Sequence, residues 1–469
     1  MISKIKYLFQ KTFGCEIEWI EKISAHGSQR EYFRLYSQKI TCLAATNEDK
    51  LENIAFLDYS NQLSEKGISV PKIYCQDLDN NLYFIEDLGN TTLYDLIELE
   101  KKGEISFQEL RNLYHKVIEE LPKIQILAGK DFDYSNAYPR KAFDKQSIAW
   151  DLNYFKYYFL KLSGIAYNEQ ELETDFQTLT NYLLSTNCNY FLFRDFQSRN
   201  IMIFNNEPAF IDYQGGRKGA LEYDLASLLF DAKADLKPEF REELLELYIK
   251  EANKYIELDE NKFRNYFYAY VYIRIMQAMG AYGFRGYFER KEHFLKSIPF
   301  ALNNLKYLEE NINLDVNIPY LHKIFNEMTN SEKLQNIAKQ KLKLTINSFS
   351  YKRGYPQDLS GNGGGFVFDC RAIHNPGRYE EYKSLNGRDK LVIEFLEKEN
   401  DAQLFFENSL EMVSQSIKTY LDRNFTNLSV SFGCTGGQHR SVFFAEKLAK
   451  ALSQNPDIDI VLKHLEQNK

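Results

Sequence analysis

Three polar side chains, Asp195, Asn200 and Asp212, stand at the ends of strongly apolar runs. Phe191-Leu-Phe delivers Arg194-Asp195, and Asn200 follows five residues after the aspartate. Ile201-Met-Ile-Phe204 then reads as a second strand, Asn205-Asn-Glu-Pro208 as a turn, and Phe210-Ile211 as a third strand that ends on Asp212. The arrangement is hairpin-like. Burying such groups among aromatics is costly unless something charged is bound there, and a divalent cation with a phosphate would supply it. The spacing suits phosphoryl transfer. Asp195 would take the proton of an attacking hydroxyl, while Asn200 and Asp212 would hold metal on the phosphates. Mg2+ prefers a few hard oxygen ligands and completes its shell with water and phosphate oxygens. D-x-x-x-x-N alone is common by chance. It gains weight from Ile211-Asp-Tyr213 and from Tyr223-Asp224-Leu-Ala-Ser-Leu-Leu229 downstream.

These residues need a scaffold, and the chain is long enough to build one. Its 469 residues are 44% apolar and 15% aromatic, which suits two or three domains. The net charge of −8 argues against a dedicated nucleic-acid binder, so RNA is not an expected partner. The acidic excess lies in the first two-thirds, and the last third is roughly balanced. Cys15, Cys42, Cys75, Cys188, Cys370 and Cys434 form no C-x-x-C pair, so neither a zinc site nor a disulfide framework is indicated. Met1–Gln10 reads as an amphipathic helix start without a signal-peptide core, and no run is long enough to span a bilayer. A cytoplasmic location with no membrane partner is the expectation.

Residues 1–90 read as a small α/β lobe. Ile20 to Tyr36 alternates like a hairpin around His26-Gly-Ser-Gln-Arg30, and a glycine turn of this kind can aim N–H groups at phosphates. Ile40–Ala45 is a strand, a helix runs from Glu52 to Lys66, and Leu82–Gly89 is an apolar strand ending in acidic residues. Thr91 or Thr92 can cap the helix that opens at Leu93. Residues 93–190, and those after Asp224 to about 312, read as helical. Ile273–Gly286 holds three glycines that cost helix propensity; close helix packing accounts for them better than a substrate pocket. Residues 313–342 are polar and read as a connector.

The catalytic stretch resembles the aminoglycoside phosphotransferase and choline kinase group. It is most similar to anomeric amino-sugar kinases that phosphorylate N-acetylmuramate and N-acetylglucosamine. The resemblance implies a two-lobed, α+β, protein-kinase-like domain over about 1–312, using ATP and Mg2+. It makes Asp195 the catalytic base, Asn200 and Asp212 the metal ligands, and Asp224 the buried brace of the catalytic loop. Nucleotide contacts fall to Gly27, Ser28 and Arg30 in the first turn and to Glu86 and Leu88 at the hinge. The chain departs from the pattern in several places. The loop histidines are Phe193 and Gln197. The phosphate-binding lysine of the third strand is replaced by Ala44 and Ala45, so Glu52 is expected to lack its usual partner.

From residue 343 the composition shifts to a smaller α/β domain. Leu344–Tyr351, Phe366–Arg371 and Leu428–Phe432 read as strands, with Ser360–Gly365 a loop flexible enough to act as a lid. The third strand runs into Gly433-Cys-Thr-Gly-Gly-Gln-His-Arg-Ser441 and a helix, Val442–Leu452. A strand, a glycine loop and a helix N-terminus make an anion-binding arrangement. Cys434 to Arg440 and Ser441 also matches the C-x5-R-[ST] loop of cysteine phosphatases. A phosphate pocket, a thiol phosphatase and a plain turn are all compatible with it.

Ser348–Pro356, Phe368-Asp-Cys-Arg371, Asn375-Pro376, Gly387-Arg-Asp-Lys390 and Gly433–Val442 together resemble the C-terminal domain of RapZ. That protein is an adapter that binds glucosamine-6-phosphate and a small RNA. The resemblance implies phosphosugar binding through Cys434, Thr435, Gly436, Gly437, His439, Arg440 and Ser441, with His374, and implies self-association into a homo-oligomer. No G-x-x-x-x-G-K-[ST] precedes the domain here. The expected function is ATP-dependent phosphorylation of the anomeric hydroxyl of an N-acetylated amino sugar in cell-wall recycling, with a phosphosugar-binding domain. The alternatives are a kinase-like sensor or adapter and, less favoured, a phosphatase at Cys434.

Overall fold

The computed structural model describes all residues except 24–29, 290, 338–340, 358–364, 423–424 and 468–469. Gly27 and Ser28, and positions 360–364 of the expected lid, therefore lie outside the described residues. The chain divides into two compact units, Met1–Glu289 with Ser297–Gln335, and Arg290–Lys296 with Asn336–Lys469.

The first unit opens with helix α1 (Ile2–Phe13) and an antiparallel sheet of order β1-β2-β3-β5-β4. The strands are β1 (Trp19–Ile23), β2 (Glu31–Tyr36), β3 (Thr41–Thr46), β4 (Ile73–Asp77) and β5 (Leu82–Glu86). Alternation divides their side chains between two faces. Phe33, Leu35, Cys42, Ala44, Leu82 and Phe84 pack with Ile5, Leu8 and Phe9 of α1. The other face meets helix α2 (Lys50–Glu65), where Phe56 stacks on Tyr83 at 5.3 Å. Asp49 starts α2 by accepting the N–H groups of Leu51 and Glu52. Capping boxes start the next two helices, Thr92 with Asp95 and Ser106 with Glu109.

The catalytic stretch is built from two ribbons, not one ladder. The strand β6 (Tyr190–Leu192) leads into the loop, β7 (Ile201–Phe204) and β8 (Glu207–Phe210) follow it, and β9 (Arg217–Gly219) comes after Asp212. β7 and β8 form a hairpin whose turn residues Asn205 and Asn206 have φ of 51° and 63°, the left-handed pair that a two-residue turn needs. β6 pairs instead with β9. The three apolar runs expected to share one arrangement are thus separated, because the loop carrying Asp195 lifts β6 out of the hairpin.

The helix Glu260–Gly283 carries two of the glycines that looked out of place, and close packing explains them. A Cβ on Gly280 would stand 2.8 Å from the backbone carbon of Tyr154, and one on Gly283 would stand 2.1 Å from the Tyr158 carbonyl oxygen. Alanine at Gly283 gains up to about 1 kcal/mol of helix propensity, but backbone cannot step aside as a side chain can. The clash should win, and Gly283→Ala is expected to lower stability by about 1–3 kcal/mol, read as a drop in the urea unfolding midpoint.

The expected connector over 313–342 is largely folded. The helix Pro319–Thr329 buries Leu321, Ile324, Phe325 and Met328, and Asp175 accepts the Leu321 N–H at 2.8 Å. Its apolar stripe at helical spacing is flanked by polar residues on both sides, and these conceal it in a reading by composition.

The second unit is a parallel sheet of order β11-β12-β10-β13. Its strands are β10 (Leu342–Ser350), β11 (Gly365–Asp369), β12 (Asn427–Cys434) and β13 (Ile458–His464). Parallel neighbours need crossovers, and the helices Asn400–Asp422 and Arg440–Leu452 provide them. Leu344, Ile346, Val430, Phe432 and Phe444 form the core. The α/β expectation holds, and β13 is an additional edge strand. Among the described residues, no helix is long and apolar enough to cross a membrane.

Candidate functional site

The loop that carries Asp195 is anchored through its backbone. Asp224, fully buried, accepts N–H bonds from Phe193 at 2.7 Å and Arg194 at 3.0 Å, and a third from Gln125 at 3.2 Å. Arg194 has φ of 87°, a conformation costing a non-glycine residue about 1–3 kcal/mol. Its guanidinium forks onto both oxygens of Asp151 at 2.8 and 2.7 Å. Held at both ends, this strained residue turns the chain into Asp195, which is half-buried. Phe193, at one family-histidine position, is buried among Phe196 and Tyr213. Gln197, at the other, lines a small cavity with Ser227, Asp231, Arg274 and Tyr282.

Asp195, Asn200 and Asp212 converge. Asn200 donates its amide nitrogen to the Asp195 carbonyl at 2.8 Å and to Asp212 Oδ2 at 3.1 Å. Asp212 is itself left-handed, with φ of 69°. Crowding by surrounding protein, and then the charge of Asp195, raise the Asp212 carboxyl above the ordinary range. A cation would relieve both effects. The donor set fits a magnesium-like ion. One amide with its nitrogen committed to the loop leaves an oxygen beside one carboxylate, and a hard cation takes few protein oxygens when phosphate and water complete its shell. No cluster of three or more His, Cys, Asp or Glu that could hold a metal occurs among the described residues.

Glu52 is paired, with an arginine where the family pattern has a lysine. Its Oε1 accepts from Arg30 at 2.9 Å and from Gln214 at 3.2 Å, and its Oε2 accepts from Asn47 at 2.8 Å. Gln214 also donates to Asp212 at 2.9 Å, so Glu52 is tied to the metal-ligand candidate. Asn47, Asp151 and Gln214 were not anticipated. Gln214, two residues beyond Asp212, and Asn47, five residues before Glu52, sat close enough in sequence to be suspected.

At the hinge, Leu88 packs with Met202, Ala209 and Ile211 in a small apolar cluster of the kind a flat ring can rest on. Glu86 closes β5, its carboxylate bonded to the Lys72 N–H at 3.2 Å. Arg34 fixes this segment by pairing with Asp87 at 2.6 and 3.0 Å and with Asn90 at 2.7 Å.

Glu222, beside the loop brace, offers a pH test. Burial, opposed only by its own N–H and Thr186, pushes its carboxyl up to about 7, and Oε2 has no partner among the described residues. A raised folded pKa favours the protonated form. Its stabilising share is complete below the unfolded value near 4.3 and is lost as pH rises through about 7. Glu222→Gln should flatten that decline, on the order of 3 kcal/mol between pH 4 and 8, when urea midpoints are compared across pH.

In the second unit, Cys434 ends β12 and is 3% exposed. Its sulfur accepts the Gly437 N–H at 3.1 Å and lies 3.2 Å from Ser441 Oγ. Thr435 and Gly436 are exposed at the loop tip, and a Cβ on Gly436 would meet nothing. Gly437 has φ of 69°, and a Cβ there would press on Glu466 at 2.4 Å, so glycine is required. The helix Arg440–Leu452 opens on His439 without a side-chain cap, leaving amides of its first turn to other partners. His439 donates to the Tyr382 carbonyl at 2.8 Å. Arg440 Nη1 is spent on the carbonyls of Arg371 at 2.9 Å and Ile373 at 2.7 Å. The His374 ring bonds Glu399 at 3.0 Å and Tyr379 at 3.2 Å. In a thiol phosphatase the arginine must hold phosphate oxygens, and here its Nη1 ties two chain segments together.

A sheet lobe with one long helix, followed by a helical lobe carrying a strained catalytic loop, defines a kinase-like domain. Residues 19–259, just over half the chain, match the phosphotransferase enzyme family, and the chain belongs to that family. Residues 342–468 match the RapZ C-terminal domain. A nucleotide-binding protein of Cereibacter sphaeroides is 40% identical over 117 residues, which are 25% of this chain and 37% of that protein. A nucleotide-binding protein of Thermosipho melanesiensis is 39% identical over 127 residues, 27% of this chain and 43% of that one. The chain thus spans less than half the length of these relatives. Among solved structures, a choline kinase of Cryptosporidium parvum has a TM-score of 0.48 at 14% identity, covering 70% of this chain and 100% of its own. The amicoumacin kinase hAmiN, in complex with AMP-PNP, Ca2+ and its ligand, has a TM-score of 0.47 at 12% identity, covering 68% and 96%. The family assignment rests on the matched residues 19–259.

Proposed function

We propose that the protein is an ATP- and Mg2+-dependent sugar kinase acting on the anomeric hydroxyl of an N-acetylated amino sugar, in cell-wall recycling. The observation that supports this reading best is the convergence of Asp195, Asn200 and Asp212 on a loop braced by Asp224. Asp195 orients the acceptor hydroxyl and takes its proton. Asn200 Oδ1 and Asp212 would hold the divalent ion, which neutralises charge on the transferring phosphates. The Leu88 cluster receives the base, and Asp87 with Arg34 keeps the hinge in place.

The second unit binds a sugar phosphate at the loop from Cys434 to Ser441, through the exposed Thr435–Gly436 tip and the amides opening the helix Arg440–Leu452. Arg440 and His439 shape that loop from behind. The sensor reading draws on the missing strand lysine and the altered loop histidines, against which Glu52 still meets a cation. Phosphorus NMR of reactions with ATP, Mg2+ and N-acetylmuramate or N-acetylglucosamine tests the acceptor. A product phosphorus coupled to the anomeric proton is expected. Coupling to the protons at C6, or no product, would contradict it.

A further inference from the structure

Glu52 gathers Arg30, Asn47 and Gln214, and Arg30 is the cation of the three. In phosphoryl-transfer domains with this loop, the helix glutamate pairs with a lysine on the third strand, and that lysine also holds the nucleotide phosphates. Here β3 offers Ala44 and Ala45. The register decides which of them faces α2. Ala44 stands opposite Phe33 and belongs to the core under α1. Ala45 stands opposite Tyr32 and Tyr83, on the face where Tyr83 meets Phe56 of α2.

Arg30 precedes Tyr32 by two residues, so alternation places it on this same face. Its guanidinium lies 5.2 Å over the Phe56 ring. It is 3% exposed, while the Glu52 side chain is 29% exposed. A buried ion pair is poor value as a stabilising device, since packed apolar residues serve as well or better. This one is also not isolated, because Glu52 is joined through Gln214 to Asp212. Arg30, Glu52, Gln214 and Asp212 thus form one hydrogen-bonded chain, which sets the guanidinium near the metal-ligand candidate. A guanidinium presents five donors in one plane and can serve a carboxylate and a phosphate together, which an ammonium does less well.

We infer that Arg30, the residue just before β2, takes the place of the absent β3 lysine, with Glu52 holding it toward the nucleotide phosphates beside Asp212. The inference rests on the kinase reading. It is tested by titrating the full chain with ATP and Mg2+, and separately with adenosine, which has no phosphate. Arg30→Ala is expected to weaken ATP tenfold or more and to leave adenosine within twofold. Adding Ala45→Lys to that variant, an ammonium on the same face, should recover part of the ATP affinity. If Arg30→Ala does not fold, Glu52→Gln keeps the shape, removes the holding charge, and should weaken ATP several-fold with adenosine unchanged. Equal loss of ATP and adenosine, or unaltered ATP affinity in a folded variant, would overturn the inference while leaving the kinase reading in place. Wild-type protein that binds no ATP would overturn both.

Discussion

Asp195→Ala is expected to lower turnover by about 10²- to 10⁴-fold, the usual share of a positioned general base, with ATP affinity and melting temperature nearly unchanged. The separation follows from where the residue sits. The loop is held by Asp224 through the N–H groups of Phe193 and Arg194, and Asn200 is tied to the Asp195 carbonyl, not its carboxylate. Truncating the side chain therefore removes the proton acceptor without loosening the backbone around it. Steady-state ADP release and ATP titration, measured on the same sample, check both halves. Turnover equal to wild type would remove Asp195 from the chemistry.

Asp224→Ala should damage both stability and turnover. The carboxylate is completely buried and meets two backbone donors and Gln125. Losing it strands buried N–H groups at about 1–3 kcal/mol each, so a total of about 3–5 kcal/mol is expected. The strained Arg194 conformation then has less to hold it, and the loop should lose its geometry even in molecules that stay folded. A lower urea midpoint together with turnover at or below the Asp195→Ala level is the expected pair of results. A variant that is destabilised but fully active at low temperature would show that the brace serves folding alone.

Asp195 was legible in the sequence because its signal is local, and the resemblance to the phosphotransferase group added Asp224. Asp195 and Asn200 share one short loop, Asp212 ends the next hairpin strand, and Asp224 lies a dozen residues further. The alternating strands of the first lobe and the glycine loop at Cys434 were legible for the same reason. What escaped depends on distant parts of the chain meeting. Arg30 and Gln214 reach Glu52 from 22 and 162 residues away, and no spacing rule connects such positions. Asp151, the partner of Arg194, is separated from it by 43 residues. β6 appeared to belong to the hairpin by proximity, yet it pairs with β9, across the catalytic loop. The helix Pro319–Thr329 was hidden because polar flanks outweighed its apolar stripe in composition. Arg440 looked like a phosphate ligand by spacing, and its Nη1 donates to backbone carbonyls.

The claim that joins these results is that the Asp195 site passes a phosphoryl group from ATP to a sugar. Its most direct measurement is ADP release by the full chain with ATP and Mg2+ across a panel of amino sugars, with the products weighed by mass spectrometry. ADP release is expected to depend on one N-acetylated amino sugar, to be matched by that sugar's phosphate, and to be lost on chelating the metal. No sugar-dependent release with any member, from protein that binds ATP and glucosamine-6-phosphate, would contradict it.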